Sequence, residues 1–189
     1  MKKSLGPLTM VYPLPVWCVG SYDKEGTPNL ATVAWGGICC SKPPCVTISL
    51  RKATYTYGNI LERGAYTVNV PSANFAAEAD FFGTASGRDV NKFEESGLTP
   101  IRSELVDAPY VDEFPVVLEC KVIHTYEIGL HTQFIGEILD VKVASEVIGE
   151  DGKPEIKKVD PMIYSTKVRQ YYRVGDLVGR AYSMGRKLK

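Results

Sequence analysis

The chain has 189 residues, enough for one domain with a sizeable core. Hydrophobic residues make up 44% and charged ones 23%, which sets aside the disordered and fibrous classes. Twenty-two basic residues balance twenty-two acidic ones, so no net field draws nucleic acid or an anionic membrane, and neither is expected as a partner.

No apolar run approaches the ~20 residues that a membrane-crossing helix needs. Lys2 and Lys3 are followed at once by Ser4, Gly6, Pro7 and Thr9, too polar for a signal-peptide core, so the expected compartment is cytoplasmic. Five cysteines, at 18, 39, 40, 45 and 120, form no CxxC pair and are expected as free thiols, some of them buried.

Residues 1–14 read as an irregular entry arm, with Pro7, Pro13 and Pro15 as breaks. Val16 to Tyr22 is a β-rich run, Asp23–Gly26 a tight turn, and Asn29 to Trp35 the returning strand of a hairpin. Gly36 and Gly37 allow a bend or a close approach to a ligand. Ser41–Pro44 is a turn, and Cys45 to Leu50 is the third strand. A helix is expected over residues 55–63, with Tyr57, Ile60 and Leu61 on one side and Gly64 as its stop. Ala65 to Val70 is a fourth strand, closed by Pro71. Ala73 to Phe82 reads as a second helix with Phe75, Ala79 and Phe82 in one stripe, and Glu78 and Asp80 on a solvated face. Gly83–Gly87 is a loop, and Asn91 to Glu95 a short helix ending at Gly97.

From Phe114 the pattern is β again. Val116 to Tyr126 and His131 to Val143 are two long strands joined around Gly129. A polar hairpin loop over 149–158 follows, then short strands at Pro161–Tyr164 and Gln170–Val174. The basic end, Arg186 to Lys189, reads as a solvated terminus. Six or more strands, few short helices and no βαβ rhythm predict a mainly β (α+β) fold: one antiparallel barrel capped by helices. No GxGxxG follows a strand, so a Rossmann nucleotide site is not expected.

The chemistry concentrates after the third strand. Ser49, Arg51, Lys52, Thr54 and Thr56 gather hydroxyls and cations where a strand runs into a helix. Free backbone N–H groups and the helix dipole favour an anion there, and a phosphate suits the set. Without that context Arg51 and Lys52 are ordinary solvated turn charges. Cys39, Cys40 and Cys45 do not form the paired, regularly spaced set of a structural zinc site, so no metal is expected. Cys39 and Cys40 are adjacent and point opposite ways on a strand. A redox thiol at Cys40 or Cys45 is the other reading of this cluster. Both histidines, His124 and His131, lie in one hairpin, which supports no Ser–His–Asp arrangement.

Taken in order, Asn29-Leu-Ala-Thr-Val-Ala-Trp35, Ser41-x-Pro-Pro44, Ser49-Leu-Arg51, Thr56-Tyr-x-Asn-Ile60, Val68-Asn69 and His131-Thr-Gln-Phe-Ile-Gly-Glu-Ile138 resemble the flavin-reductase-like family over about residues 12–175 of a single domain 1–189. Within it the pattern is closest to the flavoredoxins. The resemblance implies an FMN-binding split barrel that works as a homodimer with FMN at its interface. It implies that Ser49, Arg51 and Thr56 hold the phosphate, that Asn29 and Thr32 bond the flavin's polar edge or ribityl chain, and that Trp35 packs on the ring. Lys92, His131 and Tyr164 complete the pocket, and His131 or a backbone N–H steadies charge near the reduced ring. The implied activity is an FMN-dependent oxidoreductase that passes electrons from NAD(P)H or a redox protein partner to flavin, ferric iron or another protein. The alternative is a flavoredoxin-type electron carrier with no NAD(P)H site; a flavin-storage protein is a third.

Overall fold

Short strands bounded by prolines, glycines and Asx turns build most of the chain. A computed structural model describes residues 1–188, without the side chain of Lys187; Lys189, the last residue of the expected solvated tail, lies outside the described residues. In chain order the strands begin with Leu14–Pro15 (β1), Trp17–Tyr22 (β2), Pro28–Val33 (β3), Gly36–Ser41 (β4) and Pro44–Arg51 (β5). The helix Tyr55–Arg63 (α1) ends on Gly64, whose φ of 63° lets its N–H reach Ile60 O. Ala65–Val70 (β6) follows, then helices Ala76–Thr84 (α2) and Lys92–Ser96 (α3), the second capped by the Asn91 side chain. The rest comprises Pro100–Arg102 (β7), Pro109–Val111 (β8), Val116–Ile128 (β9), His131–Val143 (β10), the short helix Ile156–Val159 (α4), Met162–Ser165 (β11) and Gln170–Arg173 (β12).

Seven strands form one antiparallel sheet in the order β3-β2-β6-β9-β10-β5-β4. Its two edges, β3 and β4, are consecutive in the chain and joined only by Ala34 and Trp35. The sheet therefore curls until its edges approach each other, and the Ser49 N–H donates to Trp35 O at 2.8 Å, carrying the β4–β5 ladder one row into the link. The edge strands do not pair with one another, so the barrel is split along this seam.

Strand alternation fills two cores. Val19, Val46, Ile48, Leu50, Tyr66, Val68, Cys120 and Phe134 pack inside the barrel, with Ile60 of α1 among them. Cys18, one residue from Val19, faces the other way into a second core with Leu30, Ala79, Phe82, Phe93, Phe114 and Met162. Inside the barrel the Tyr66 hydroxyl donates to Val46 O at 3.0 Å. Gly136 makes room for that ring: a Cβ there would stand 2.7 Å from Tyr66 Cζ.

The structure corrects several expectations. Of the bend or close ligand approach expected at Gly36 and Gly37, the bend is not seen: they open β4, an edge strand that pairs with β5. The loop expected over 149–158 contains the first turn of α4. The β7–β8 hairpin carried no alternation that could announce it, because each strand is three residues long. Glu119, on a strand that reads as half solvated, is 0% exposed. It accepts a hydrogen bond from Ser103 Oγ and pairs with Lys142 at 3.1 Å, which offsets the cost of burying its charge. Among the described residues no helix is long and apolar enough to cross a membrane.

Candidate functional site

Alternation and register build the site before any side chain is considered. On β5 the even residues Val46, Ile48 and Leu50 enter the barrel, so Ser49 and Arg51 face outward. On β10 Thr132 and Phe134 are buried, which turns His131 and Gln133 outward. Register then sets Arg51 opposite His131, and His131 opposite Ile128 on the next strand. One row down, Ser49, Gln133 and Tyr126 are aligned in the same way.

A cavity of about 390 Å³ opens beside this row, at the seam of the barrel. That lies within the roughly 300–1,000 Å³ of small-ligand clefts. Thr32, Val33, Ala34 and Trp35 form one wall, and Ser49, Leu50, Arg51, Thr54 and His131 another. Asp80, Gly83 and Thr84 of α2, with Tyr164, Arg169 and Tyr171 of the β11–β12 hairpin, close the third side.

The cavity has a cationic end and an aromatic end. Arg51 is exposed, and among the described residues no carboxylate or carbonyl holds its guanidinium. Thr54 is the N-cap of α1 but does not cap it; its hydroxyl donates to Arg51 O at 2.8 Å. The first-turn N–H groups of α1 are thus left without a side-chain cap, and that turn holds no acidic residue. Both features favour an anion beside Arg51. At the other end Trp35 and His131 stack with centroids 6.2 Å apart and planes 4° from parallel. Tyr164 and Tyr171 face one another at 5.5 Å, and the Tyr171 hydroxyl donates to Asp80 Oδ1 at 2.8 Å. Burial, and then the Asp80 carboxylate, push the Tyr171 phenol up from its ordinary pKa, so Tyr171 stays a hydrogen-bond donor at neutral pH.

Six of the expected site residues therefore meet on one cavity: Thr32, Trp35, Ser49, Arg51, His131 and Tyr164. Asn29, Thr56 and Lys92 do not line it. Asn29 and Thr56 are buried against each other, Asn29 Nδ2 donating to Thr56 Oγ1 at 2.9 Å, and Asn29 Oδ1 has no partner among the described residues. Lys92 is 4% exposed, and its ammonium donates to Leu30 O at 2.7 Å and Phe82 O at 2.8 Å, tying β3 to the end of α2. Desolvation lowers its pKa to about 8, with the Cys18 thiol acting weakly the other way. Thr32 reinforces the same junction, its hydroxyl donating to Ala79 O.

Three of the cavity residues, Asp80, Arg169 and Tyr171, carry no expectation from the sequence as site residues. Asp80 was expected on a solvated face, yet it lines the cavity and holds Tyr171. Thr54, one of the hydroxyls of the expected anion site, does line the cavity, whereas the helical turn directs Thr56 inward. Arg169 comes from the β11–β12 turn, where it takes a φ of 54°, and Tyr171 from β12 just beyond it. Only the paired aromatics of Gln170-Tyr-Tyr172 offered a signal, and nothing in the sequence aimed them at the seam.

A flat conjugated ring with an anionic tail fits these walls: aromatic and apolar faces for the ring, hydroxyls along the way, and Arg51 with an uncapped helix turn for the tail. The model of the Flavin reductase like domain family matches residues 9–174. The chain is 52% identical to the flavoredoxin of Desulfovibrio vulgaris (Miyazaki F), covering 98% of this chain and 100% of that one with a TM-score of 0.94. It is 31% identical to the flavoredoxin from Methanosarcina acetivorans, with 100% of both chains covered and a TM-score of 0.93. A ferric-chelate reductase (NAD(P)H) of Archaeoglobus fulgidus is 29% identical over 107 residues, 56% of this chain and 62% of that protein. The split barrel, the seam cavity and these likenesses agree: the chain belongs to the flavin reductase-like family.

Proposed function

We propose that the chain is an FMN-binding redox protein, an oxidoreductase that takes electrons from NAD(P)H or a protein donor and passes them to flavin, ferric iron or a redox partner. The observation that carries this reading is the polarity of the seam cavity, with a free guanidinium and hydroxyls at one end and an aromatic wall at the other. Arg51, Ser49 and Thr54 would hold the phosphate, because a dianion calls for a permanent cation and several N–H or O–H donors. Thr32 would bond the ribityl chain or the ring's polar edge, and Trp35, His131 and Tyr164 would flank the ring. Asn29, Thr56 and Lys92 would act from behind the wall, by fixing the strand and helices that carry it. Bound there, FMN supplies the hydride and electron chemistry. The chain's own part is to orient the ring, exclude water from it and place His131 where charge develops.

A homodimer completes the proposal. Ile123, Tyr126, Ile128, Leu130, Leu139 and Val141 are all exposed on the long β9–β10 hairpin. Tyr126 and Ile128 continue the rows that carry Ser49, Arg51 and His131. A second copy seated on this apolar face would cover it and close the open side of the cavity. The free cysteines suit a reducing compartment, and we place the protein in the cytosol.

An anaerobic absorbance titration tests the reading. Protein reconstituted with FMN is given NADH, then NADPH, then dithionite. Bleaching of the visible flavin band by a nicotinamide supports the reductase. A band that yields only to dithionite supports the second reading, a flavoredoxin-type carrier, which the 52% identity to a flavoredoxin favours. Failure to retain FMN at all refutes both.

A further inference from the structure

The seam site makes no use of the chain's five thiols, yet two of them face one another. Cys40 on β4 and Cys45 on β5 are register partners across the hairpin. Directly opposed residues of an antiparallel pair have Cα atoms about 4.5–5.5 Å apart and side chains on one face. Disulfides form at Cα separations of about 4.4–6.8 Å. The ladder slips between Ile38 and Cys40, so Cys39 is left at the bulge without a register partner.

The surroundings give the two thiols different parts. Cys40 is exposed, and Cys45 is buried. Burial pushes the Cys45 thiol up from its ordinary pKa, followed by the nearby Cys40 and Cys39 sulfurs and the Glu137 carboxylate. The Cys45 thiol donates to Pro43 O at 3.5 Å, in the turn that joins the two strands. Glu137 is the register partner of Cys45 on β10, so it faces the pair from the neighbouring strand.

We propose that Cys40 and Cys45 are a reversible thiol–disulfide site, oxidised by exchange with a small-molecule disulfide. The Cys40 thiolate attacks one sulfur of the small disulfide, whose S–S bond breaks, and the departing thiolate takes up the proton that Cys40 gave to water. The Cys45 thiol then loses its proton and attacks Cys40 Sγ. The second small thiolate leaves and is protonated. Two protein thiols are oxidised and one small disulfide is reduced to two thiols. Cys40 is the entry point because the thiolate must be reached from solvent, and Cys45 is the resolving thiol because it stands directly across the ladder from Cys40.

The bond would staple the strands that bear the seam cavity. β5 runs from Cys45 on to Ser49 and Arg51, and β4 leads back to Trp35. Four residues of strand span about 13 Å, so the pair sits beside the cavity wall and outside the cavity. This inference stands on the hairpin alone and does not depend on which flavin or electron donor the protein uses.

The test treats the intact protein with oxidised glutathione, blocks free thiols by alkylation, and maps the cysteines by peptide mass spectrometry. The expected result is a Cys40–Cys45 cross-link with loss of alkylation at both, reversed by dithiothreitol. Cys45→Ser should instead trap a stable glutathione adduct on Cys40, and Cys39→Ser should leave the cross-link intact. Two results overturn the proposal: full alkylation of Cys40 and Cys45 after treatment, or a bond that joins Cys39 to either neighbour.

Discussion

The Trp35 and His131 rings lie 6.2 Å apart and 4° from parallel, although one residue comes from the β3–β4 junction and the other from the start of β10. A flat, rigid aromatic wall at the mouth of a cleft is suited to a planar ligand. Trp35→Ala and His131→Ala should each change the visible absorption and fluorescence of bound FMN. Spectra identical to wild type at saturating FMN would remove that residue from the ring site.

Arg51 is a cation at the cavity's polar end whose guanidinium has no partner among the described residues. Arg51→Ala should weaken FMN binding by about 1–3 kcal/mol, roughly a 5- to 150-fold rise in Kd, because a charge-assisted bond to phosphate is lost. Riboflavin, which has no phosphate, is the control. Its affinity should hardly move, and equal losses for both ligands would mean that Arg51 supports the fold of the site and does not bind phosphate.

The barrel interior can be tested apart from the site. Tyr66→Phe removes the hydroxyl that donates to Val46 O at 3.0 Å and should cost about 1–2 kcal/mol in denaturant unfolding. Gly136→Ala should cost more, since the new methyl would be forced onto the Tyr66 ring in a close-packed barrel. A neutral Gly136→Ala would show that the ring can shift.

Lys92 gives a pH signature whose direction follows from its burial. Its folded pKa, lowered to about 8, lies below the ordinary 10.5, so between these values the unfolded chain binds more protons than the folded one. Unfolding free energy should therefore rise with pH across that window, by roughly 1–3 kcal/mol relative to Lys92→Met. The neutral amine keeps two N–H donors, enough for Leu30 O and Phe82 O. Parallel pH profiles for wild type and Lys92→Met would contradict this.

The β9–β10 face predicts an oligomer. Ile128→Asp or Tyr126→Asp places a charge on the apolar surface and should shift the protein from dimer to monomer in sedimentation velocity. A wild-type protein that is monomeric at high concentration would dispose of the dimer.

Much of this arrangement was legible in the chain. Turn chemistry fixed the hairpins at Asp23–Gly26 and Gly129, and the helix over 55–63 runs between the same residues as expected because Gly64 stops it. The strand His131–Val143 also has its expected ends. The run of Ser49, Arg51, Lys52, Thr54 and Thr56 reads as a place for a phosphate; of these, Ser49, Arg51 and Thr54 line the seam cavity, and Thr56 is buried against Asn29.

What local pattern leaves open is which parity of a strand turns inward and what lies across from it. Ile135, Leu139, Val141 and Val143 are apolar residues of one parity, yet Thr132, Phe134 and Gly136 of the other parity occupy the barrel. Tertiary closure decided this, because β10 must present one face to Tyr66 and Val46 while the other is left for the cavity rim. The same closure brought Asp80 and Tyr171, 91 residues apart, onto one wall and drew Asn29, Thr56 and Lys92 behind it. Alternation and turn preference are set by a few neighbouring residues. Register between β5 and β10 is set by the packing of the whole barrel, and only that packing puts Arg51 beside His131.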